Sequence, residues 1–305
     1  MITLSKKLLL LSLIWLLCLG CKNEKNTNGK LNVVTTTTMI TDLVKNIGRD
    51  HINLQGLMGS GVDPHLYKAS EGDVTKLANA DIIFYNGLHL EGKLVEVFEK
   101  MKNKKTIAIS DAVDKTTLIG SEYFASNYDP HIWFDINYWK QATQYVVNTL
   151  SDAIPEQKVN FETNGNAYLK QLDSLQSNIQ AKIAQLPKAQ RILVTAHDAF
   201  NYFGKAFDFE VVGLQGLSTA TEAGVQDVQK LSAFIIENKV KAIFVESSVP
   251  KRTIEALQAS VKSKGHNVTI GGELYSDALG DAGTVEGTYI GMFDYNVNTI
   301  VEALK

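Results

Sequence analysis

The chain has 305 residues, 45% of them apolar and 21% charged, and carries a formal net charge of −3 at neutral pH. That length allows two ordinary domains or one large one, and the apolar share is enough for a real core. A slightly acidic balance argues against nucleic acid as the partner.

In chain order, Lys6 and Lys7 precede an apolar run over 8–19 that ends at Gly20-Cys21. The run is too short to span a bilayer comfortably and has the three-part layout of a secretory signal. A cysteine directly after a small residue resembles a bacterial lipobox. Residues 1–21 therefore read as a lipoprotein signal peptide with Cys21 as the lipidated residue, although Cys18 stands where an aliphatic side chain is usual. An uncleaved anchor helix fits less well, because the chain turns polar at once. Residues 22–30 (KNEKNTNGK) are the flexible tether expected between a lipid and a folded body. The only two cysteines, Cys18 and Cys21, lie in this leader, so the mature chain has neither a disulfide nor a thiolate ligand.

A first lobe is expected over 31–154. Its strands fall at 31–37, 52–57, 80–85 and 106–109, and its helices at 39–47, 70–78, 91–101 and 137–153. Loops 59–65 and 111–130 are punctuated by Gly and Pro. Next, Phe161, Tyr168, Leu172, Leu175, Ile179, Ile183 and Leu186 recur at three- and four-residue steps, the mark of one apolar helical stripe. Pro155 and Pro187 bound it. This spine, about 30 residues and roughly 45 Å long, reads as a rigid link over 155–187. A long helix within a single domain is the alternative. The order then repeats over 188–305, with strands at 191–195, 209–212, 242–245 and 267–270 and helices at 199–206, 225–238, 251–262 and 288–304. The fold class is α/β: two lobes of parallel sheet flanked by helices, joined by one long helix, with a ligand site in the cleft between them.

Four residues fall in loops beyond predicted strand ends, the edge where open α/β sheets bind ligands. They are His65 in Asp63-Pro64-His65, His131 in Asp129-Pro130-His131, His197 in Thr195-Ala196-His197, and Asp277 in Tyr275-Ser276-Asp277. Two precede the spine and two follow it, so each lobe donates a pair. Three imidazoles and a carboxylate fill a four-ligand divalent site, or five if the carboxylate binds bidentately. Each residue alone is weak evidence, since a loop histidine is more often a surface residue and Asp277 could cap a turn. Of the six histidines, His51 and His266 read as solvated and His89 as structural. Glu246 and Asp281 read as outer supports or as loop-bonding acids, and the aspartates of the two Asp-Pro-His motifs as holding loop amides or the rings.

The lipobox together with DPHLY, DPHIWFD, TAHDAFNYF, FVESSVP and LYSDALGDAGTVEGTYIGM is similar to the TroA-like solute-binding proteins. These are zinc- and manganese-type metal-binding lipoproteins of ABC importers, and the similarity covers essentially the whole mature chain. It implies two α/β lobes bridged by one long helix. It also implies a metal held by residues matching His65, His131, His197 and Asp277, the third ligand being glutamate in many manganese importers. The cargo implied is zinc or manganese, with iron an open choice. The loop before His131 lacks the His-rich insertion of many zinc-specific relatives. The partners implied are a membrane ABC-type permease and the membrane itself through Cys21, for a monomer outside the cytoplasm. One stiff helix implies small tilts, with loops 111–130 and 271–283 ordering around the ion. The rival readings are a zinc-dependent hydrolase, which would need an open coordination position and a general base, and a surface adhesin with incidental histidines. Neither displaces the reading as a binding protein rather than an enzyme.

Overall fold

The computed structural model describes residues 29–101, 104–122 and 124–305. The signal peptide 1–21, with Cys21, and most of the 22–30 tether lie outside the described residues. In the first lobe, strands β1 (Leu31–Thr35), β2 (Ile52–Gly56), β3 (Ile82–Tyr85) and β4 (Lys105–Ala108) form a parallel sheet of order β2-β1-β3-β4. In the second, β5 (Ile192–His197), β6 (Glu210–Gln215), β7 (Ala242–Glu246) and β8 (Thr269–Leu274) form a parallel sheet of order β6-β5-β7-β8. The two orders are the same. The coarse echo in the sequence is thus a repeated topology, and in each parallel sheet the strand order reverses beside its first strand.

The helices are α1 (Thr38–Gly48), α2 (Glu71–Asn79), α3 (Val95–Lys100), α4 (Ile136–Ala153), the spine α5 (Lys158–Ile183), α6 (Asn201–Phe207), α7 (Val225–Glu237), α8 (Arg252–Ser263) and α9 (Tyr289–Leu304). Short polar side chains start several of them. Thr37 caps α1, Asp135 caps α4 and Thr288 caps α9, each accepting from a backbone amide in the first turn. At α2, Ser70 and Asp73 form a reciprocal capping box, and the Tyr67 hydroxyl donates to Asp73 at 2.7 Å.

The spine is shorter than its periodicity predicts. Pro155–Gln157 forms a 3-10 turn before it, and the α-helix proper has 26 residues, about 39 Å at 1.5 Å per residue. The whole predicted stripe from Phe161 to Leu186 is buried. Asn164 and Gly165 fill the gap that the apolar pattern leaves between Phe161 and Tyr168. A Cβ on Gly165 would lie 2.4 Å from Val147 Cγ2, so glycine lets α4 and α5 approach closely. Asn164 Nδ2 donates to the Ile47 carbonyl at 2.9 Å, satisfying a free acceptor at the end of α1.

The spine packs on α1 and α4 from the first lobe and on α9 from the second. One continuous apolar cluster runs from Val33 and Ile40 through Leu172 and Ile179 to Phe203 and Phe293. The lobes are therefore joined through a shared core as well as a helix. Burial of a leucine such as Leu172 contributes about 1.5–3 kcal/mol.

One predicted helix differs. Over 91–101 only Val95–Lys100 is helical, and the preceding turn buries Glu91 at 2% exposure. Its carboxylate accepts from Thr36 Oγ1 at 2.7 Å, Asn86 N at 2.7 Å and Gly87 N at 3.3 Å. Those bonds at the end of β3 outcompete a first helical turn, because a buried acid needs donors more than a helix needs residues. No helix among the described residues is long and apolar enough to cross a membrane.

Candidate metal centre

His197 is the last residue of β5, and Glu246 the last residue of the neighbouring β7. Glu246 Oε1 accepts from the His197 amide at 2.9 Å, while Oε2 lies 2.6 Å from His197 Nδ1. The carboxylate thus fixes both the backbone and the ring, and leaves Nε2 for the cleft. Gly213 on β6 makes room for this strand end. A Cβ there would stand 2.5 Å from the His197 carbonyl carbon and 2.5 Å from the Asp198 amide.

His131 does not follow a strand end closely. It comes after a long excursion beyond β4, in the turn that opens the 3-10 segment Ile132–Phe134. Asp129 Oδ1 accepts from the His131 amide at 2.9 Å and lies 2.7 Å from its Nδ1. The remaining oxygen of Asp129 accepts from Asn201 Nδ2 at 3.0 Å, and the Tyr202 hydroxyl donates to the Asp129 carbonyl at 2.9 Å. Both donors lie on α6, so the aspartate that orients His131 also ties the lobes together.

His65 is mounted differently. Asp63 Oδ1 accepts from the His65 amide at 2.8 Å, and no hydrogen bond reaches the His65 ring among the described residues. The repeated Asp-Pro-His motif therefore has two uses: one aspartate holds a ring, the other only a backbone. Asp277 lies in the loop after β8, stapled from the first lobe. Trp133 Nε1 donates to the Ser276 carbonyl at 2.9 Å, and Thr38 Oγ1 accepts from the Leu279 amide at 2.8 Å.

These mounts bring four side chains to one point. His65, His131, His197 and Asp277 each offer a donor atom, all within 4.8 Å of one another. Asp277 Oδ2 lies 3.2 Å from His197 Nε2 and 3.9 Å from His65 Nε2, while Oδ1 lies 3.6 Å from His131 Nε2. All four residues are at most 5% exposed. Among the described residues the three Nε2 atoms and both Asp277 oxygens have no hydrogen-bond partner. So many unpartnered buried polar atoms aimed at one centre are costly unless something else satisfies them.

Burial sets the charge states. Loss of water pushes the His65 pKa down to about 3, which keeps that imidazole neutral and able to donate its lone pair. For His197 burial also disfavours charge, but the carboxylates of Glu246 and Asp277 outweigh it and hold the pKa well above the ordinary value. Burial likewise opposes ionisation of Asp277, yet the neighbouring imidazoles, His197 foremost, keep its carboxyl below the usual carboxylate range.

The other histidines stay apart from the centre. His51 is half-buried edge-on to Phe161, His266 is half-exposed, and His89 is exposed in a left-handed turn at φ 64°. Glu246 supports His197 as expected of an outer acid. Asp281 takes the loop-bonding role, accepting from the Ser60 hydroxyl at 2.5 Å, away from the rings. Asn201, Gly213, Trp133 and Glu91 were not singled out by sequence reasoning. A glycine inside a β-branched strand is a recognised sign of close backbone approach, and it was available at Gly213. The roles of Asn201 and Trp133 are tertiary and leave no local signal.

Two parallel α/β lobes across one long helix, with a buried cluster of donors at their seam, define a two-lobed binding protein. The chain belongs to the ZnuA family, described as zinc-uptake complex component A, periplasmic, whose family model matches residues 33–303. It is 50% identical over 278 residues to the zinc-binding protein TroA of Treponema pallidum, covering 91% of this chain and 90% of the relative. It is 47% identical over 290 residues to the manganese-binding lipoprotein MntA of Bacillus subtilis, covering 94% of each. The solved structure of the periplasmic zinc-binding protein TroA from T. pallidum superposes with a TM-score of 0.88, covering 90% of this chain and 99% of that one.

Proposed function

We propose that this protein captures a divalent transition metal, zinc or manganese, outside the cytoplasm and delivers it to an ABC-type permease. His65, His131, His197 and Asp277 are the ligands in this reading. The observation that carries it is the convergence of three unpartnered Nε2 atoms and both oxygens of one carboxylate. Imidazole donors suit zinc, and the free second oxygen of Asp277 gives manganese the extra oxygen it favours. The lobes 31–154 and 188–305 act as the two jaws, with 155–187 as the link between them.

Cys21 carries the lipid that keeps the protein at the membrane, residues 22–30 are the tether, and the protein works as a monomer. The role is binding, not catalysis. The acids around the donor cluster are already engaged, Asp129 and Glu246 on histidine rings and Asp63 on the His65 amide and the Thr219 hydroxyl, which argues against a free general base. Iron belongs to the same divalent series and is tested alongside.

Protein purified without added metal, analysed for metal content and then titrated in competition with zinc, manganese and iron, tests this. One ion per chain is expected, with a rise in melting temperature that follows ligand concentration. Absence of binding to all of them overturns the reading. Steady hydrolysis of simple esters or phosphates by the loaded protein would replace it with an enzyme.

A further inference from the structure

We infer that Thr219 is a positioning residue for His65, acting through Asp63, so that the 216–224 segment latches the least anchored ligand in place. This rests on the metal-capture reading and adds to it the step that governs release. His131 and His197 each have a carboxylate on the ring nitrogen that faces away from the centre, 2.7 and 2.6 Å away. His65 has none among the described residues, so its imidazole is placed by its backbone. Its backbone is fixed by Asp63 Oδ1 at 2.8 Å. The other oxygen of Asp63 accepts from the Thr219 hydroxyl at 2.5 Å, across the seam between the lobes. A single aspartate therefore joins the position of a second-lobe loop to that of a first-lobe ligand.

The segment that carries Thr219 has few other ties. It leaves β6 at Gln215 and reaches α7 at Gly224, and its other ties are long or exposed: Gln215 Nε2 donates to the Thr221 carbonyl at 3.3 Å, the Asp198 amide donates to the Gly216 carbonyl at 3.3 Å, and Glu222 lies 3.7 Å from Arg252 at the surface. Most of its residues are exposed or half-exposed, and Ala223 alone packs against an apolar cluster. A loop with so few anchors opens at low cost. When it opens, Asp63 loses its cross-lobe partner, and His65 loses the restraint that keeps it in coordinating range. Ser60 to Asp281, at 2.5 Å, is a second hydroxyl–carboxylate tie from the same stretch of chain. Both of its residues are exposed. Water competes there, so that tie contributes less.

Thr219→Val keeps the shape and removes the donor, while Thr219→Ser keeps the donor. The experiment loads each purified full chain with zinc and measures the release rate by stopped flow into excess chelator. The cobalt(II) spectrum of each variant reports whether the ligand set is intact. Loss of a hydrogen bond to a charged group is expected to speed release by about tenfold in Thr219→Val. Thr219→Ser is expected to match the wild type, and the cobalt spectrum to be unchanged in both. A Thr219→Val release rate within twofold of wild type overturns the latch, as does an equal acceleration in Thr219→Ser. Wild-type protein that takes up neither zinc nor cobalt would instead defeat the metal-capture reading itself, so the two failures are told apart.

Discussion

The two lobes share one strand order, yet they hold the proposed metal ligands by different means. In the second lobe His197 ends a strand, its partner acid Glu246 ends the next strand, and Asp277 follows shortly after β8. In the first lobe His65 and His131 sit in loops well beyond Gly56 and Ala108, where β2 and β4 end. Each lobe also closes the crevice between its neighbouring central strands with a buried glutamate. In the second lobe Glu246 grips His197, one of the proposed ligands. In the first lobe Glu91 grips Thr36, Asn86 and Gly87, and touches no ligand. The same architecture thus gives one jaw with ligands built into the sheet and another whose ligands depend on loop contacts. A stiff half and an adjustable half suit a protein that must bind tightly and still let go, since strand ends move less than loops.

The largest effect expected separates the jaws at the level of the ligands. Asp277→Ala removes the one carboxylate that faces all three imidazoles, and should lower zinc affinity by more than the roughly 10–100-fold that an outer partner is worth. His65→Ala should cost clearly less than His197→Ala. Competition titration against a chromophoric chelator measures all three. Equal losses for the two histidine variants would erase the distinction between a rigid and an adjustable jaw.

The next effect concerns the supporting acids. Glu246→Gln and Asp129→Asn should each weaken metal binding by about 10–100-fold, the usual cost of losing an acid behind a ligand histidine. They should differ in a second reading. The second carboxylate oxygen of Asp129 also accepts from Asn201 across the seam, and Asp129→Asn leaves one acceptor oxygen where there were two, so it loosens the seam, and Asn201→Ala should reproduce part of that loss. Glu246→Gln acts within its own sheet. Hydrogen exchange in α6 distinguishes them, with faster exchange expected for Asp129→Asn only.

Much of this was legible in the sequence. All the strands and helices of both sheets lie within a few residues of their periodic signals, and the stripe from Phe161 to Leu186 is buried throughout. The four donors were legible because chemistry-bearing side chains recurred just beyond predicted strand ends in both halves. The seam was not. Trp133 to Ser276, Tyr202 to Asp129 and Thr219 to Asp63 join residues far apart in the chain, and a local pattern carries no information about such pairs. Helical spacing places Glu91 in a helix, because such spacing says nothing about an acid drawn inward by backbone amides.

The jaws also differ in protonation, and this gives a pH dependence. His65 is neutral because burial takes its pKa to about 3. His197 in the metal-free protein is held protonated by Glu246 and Asp277, although burial works against it. A pKa raised above the unfolded value means that this proton contributes stability below the unfolded pKa, and the contribution is lost as pH rises through the folded one. A metal ion must displace the same proton. Affinity should therefore rise with pH through the neutral range by about tenfold per unit, and about one proton should be released per ion bound. Calorimetry in buffers of different ionisation enthalpy counts that proton, and a count of zero at neutral pH would contradict the assignment to His197.

The smallest effect tests why the second jaw is stiff at all. Gly213 lies on β6 beside the end of β5, with register Thr195 to Gly213 and His197 to Gln215. A methyl group at this position meets backbone, the His197 carbonyl carbon and the Asp198 amide at 2.5 Å each, and not the end of a flexible side chain. Relief requires the two strands to part, which also strains the bond from the Gly213 amide to Asp198 Oδ1 at 2.6 Å. Gly213→Ala should lower stability by about 1–3 kcal/mol, the usual cost of overpacking, and should also loosen zinc because His197 rides on the displaced strand. Gly72→Ala, in the first turn of α2 where an added methyl makes only an ordinary contact with Ser70, is the control and should leave zinc binding unchanged. If Gly213→Ala binds zinc as tightly as wild type while losing stability, the position of His197 is set by Glu246 alone, and the sheet contributes only a platform.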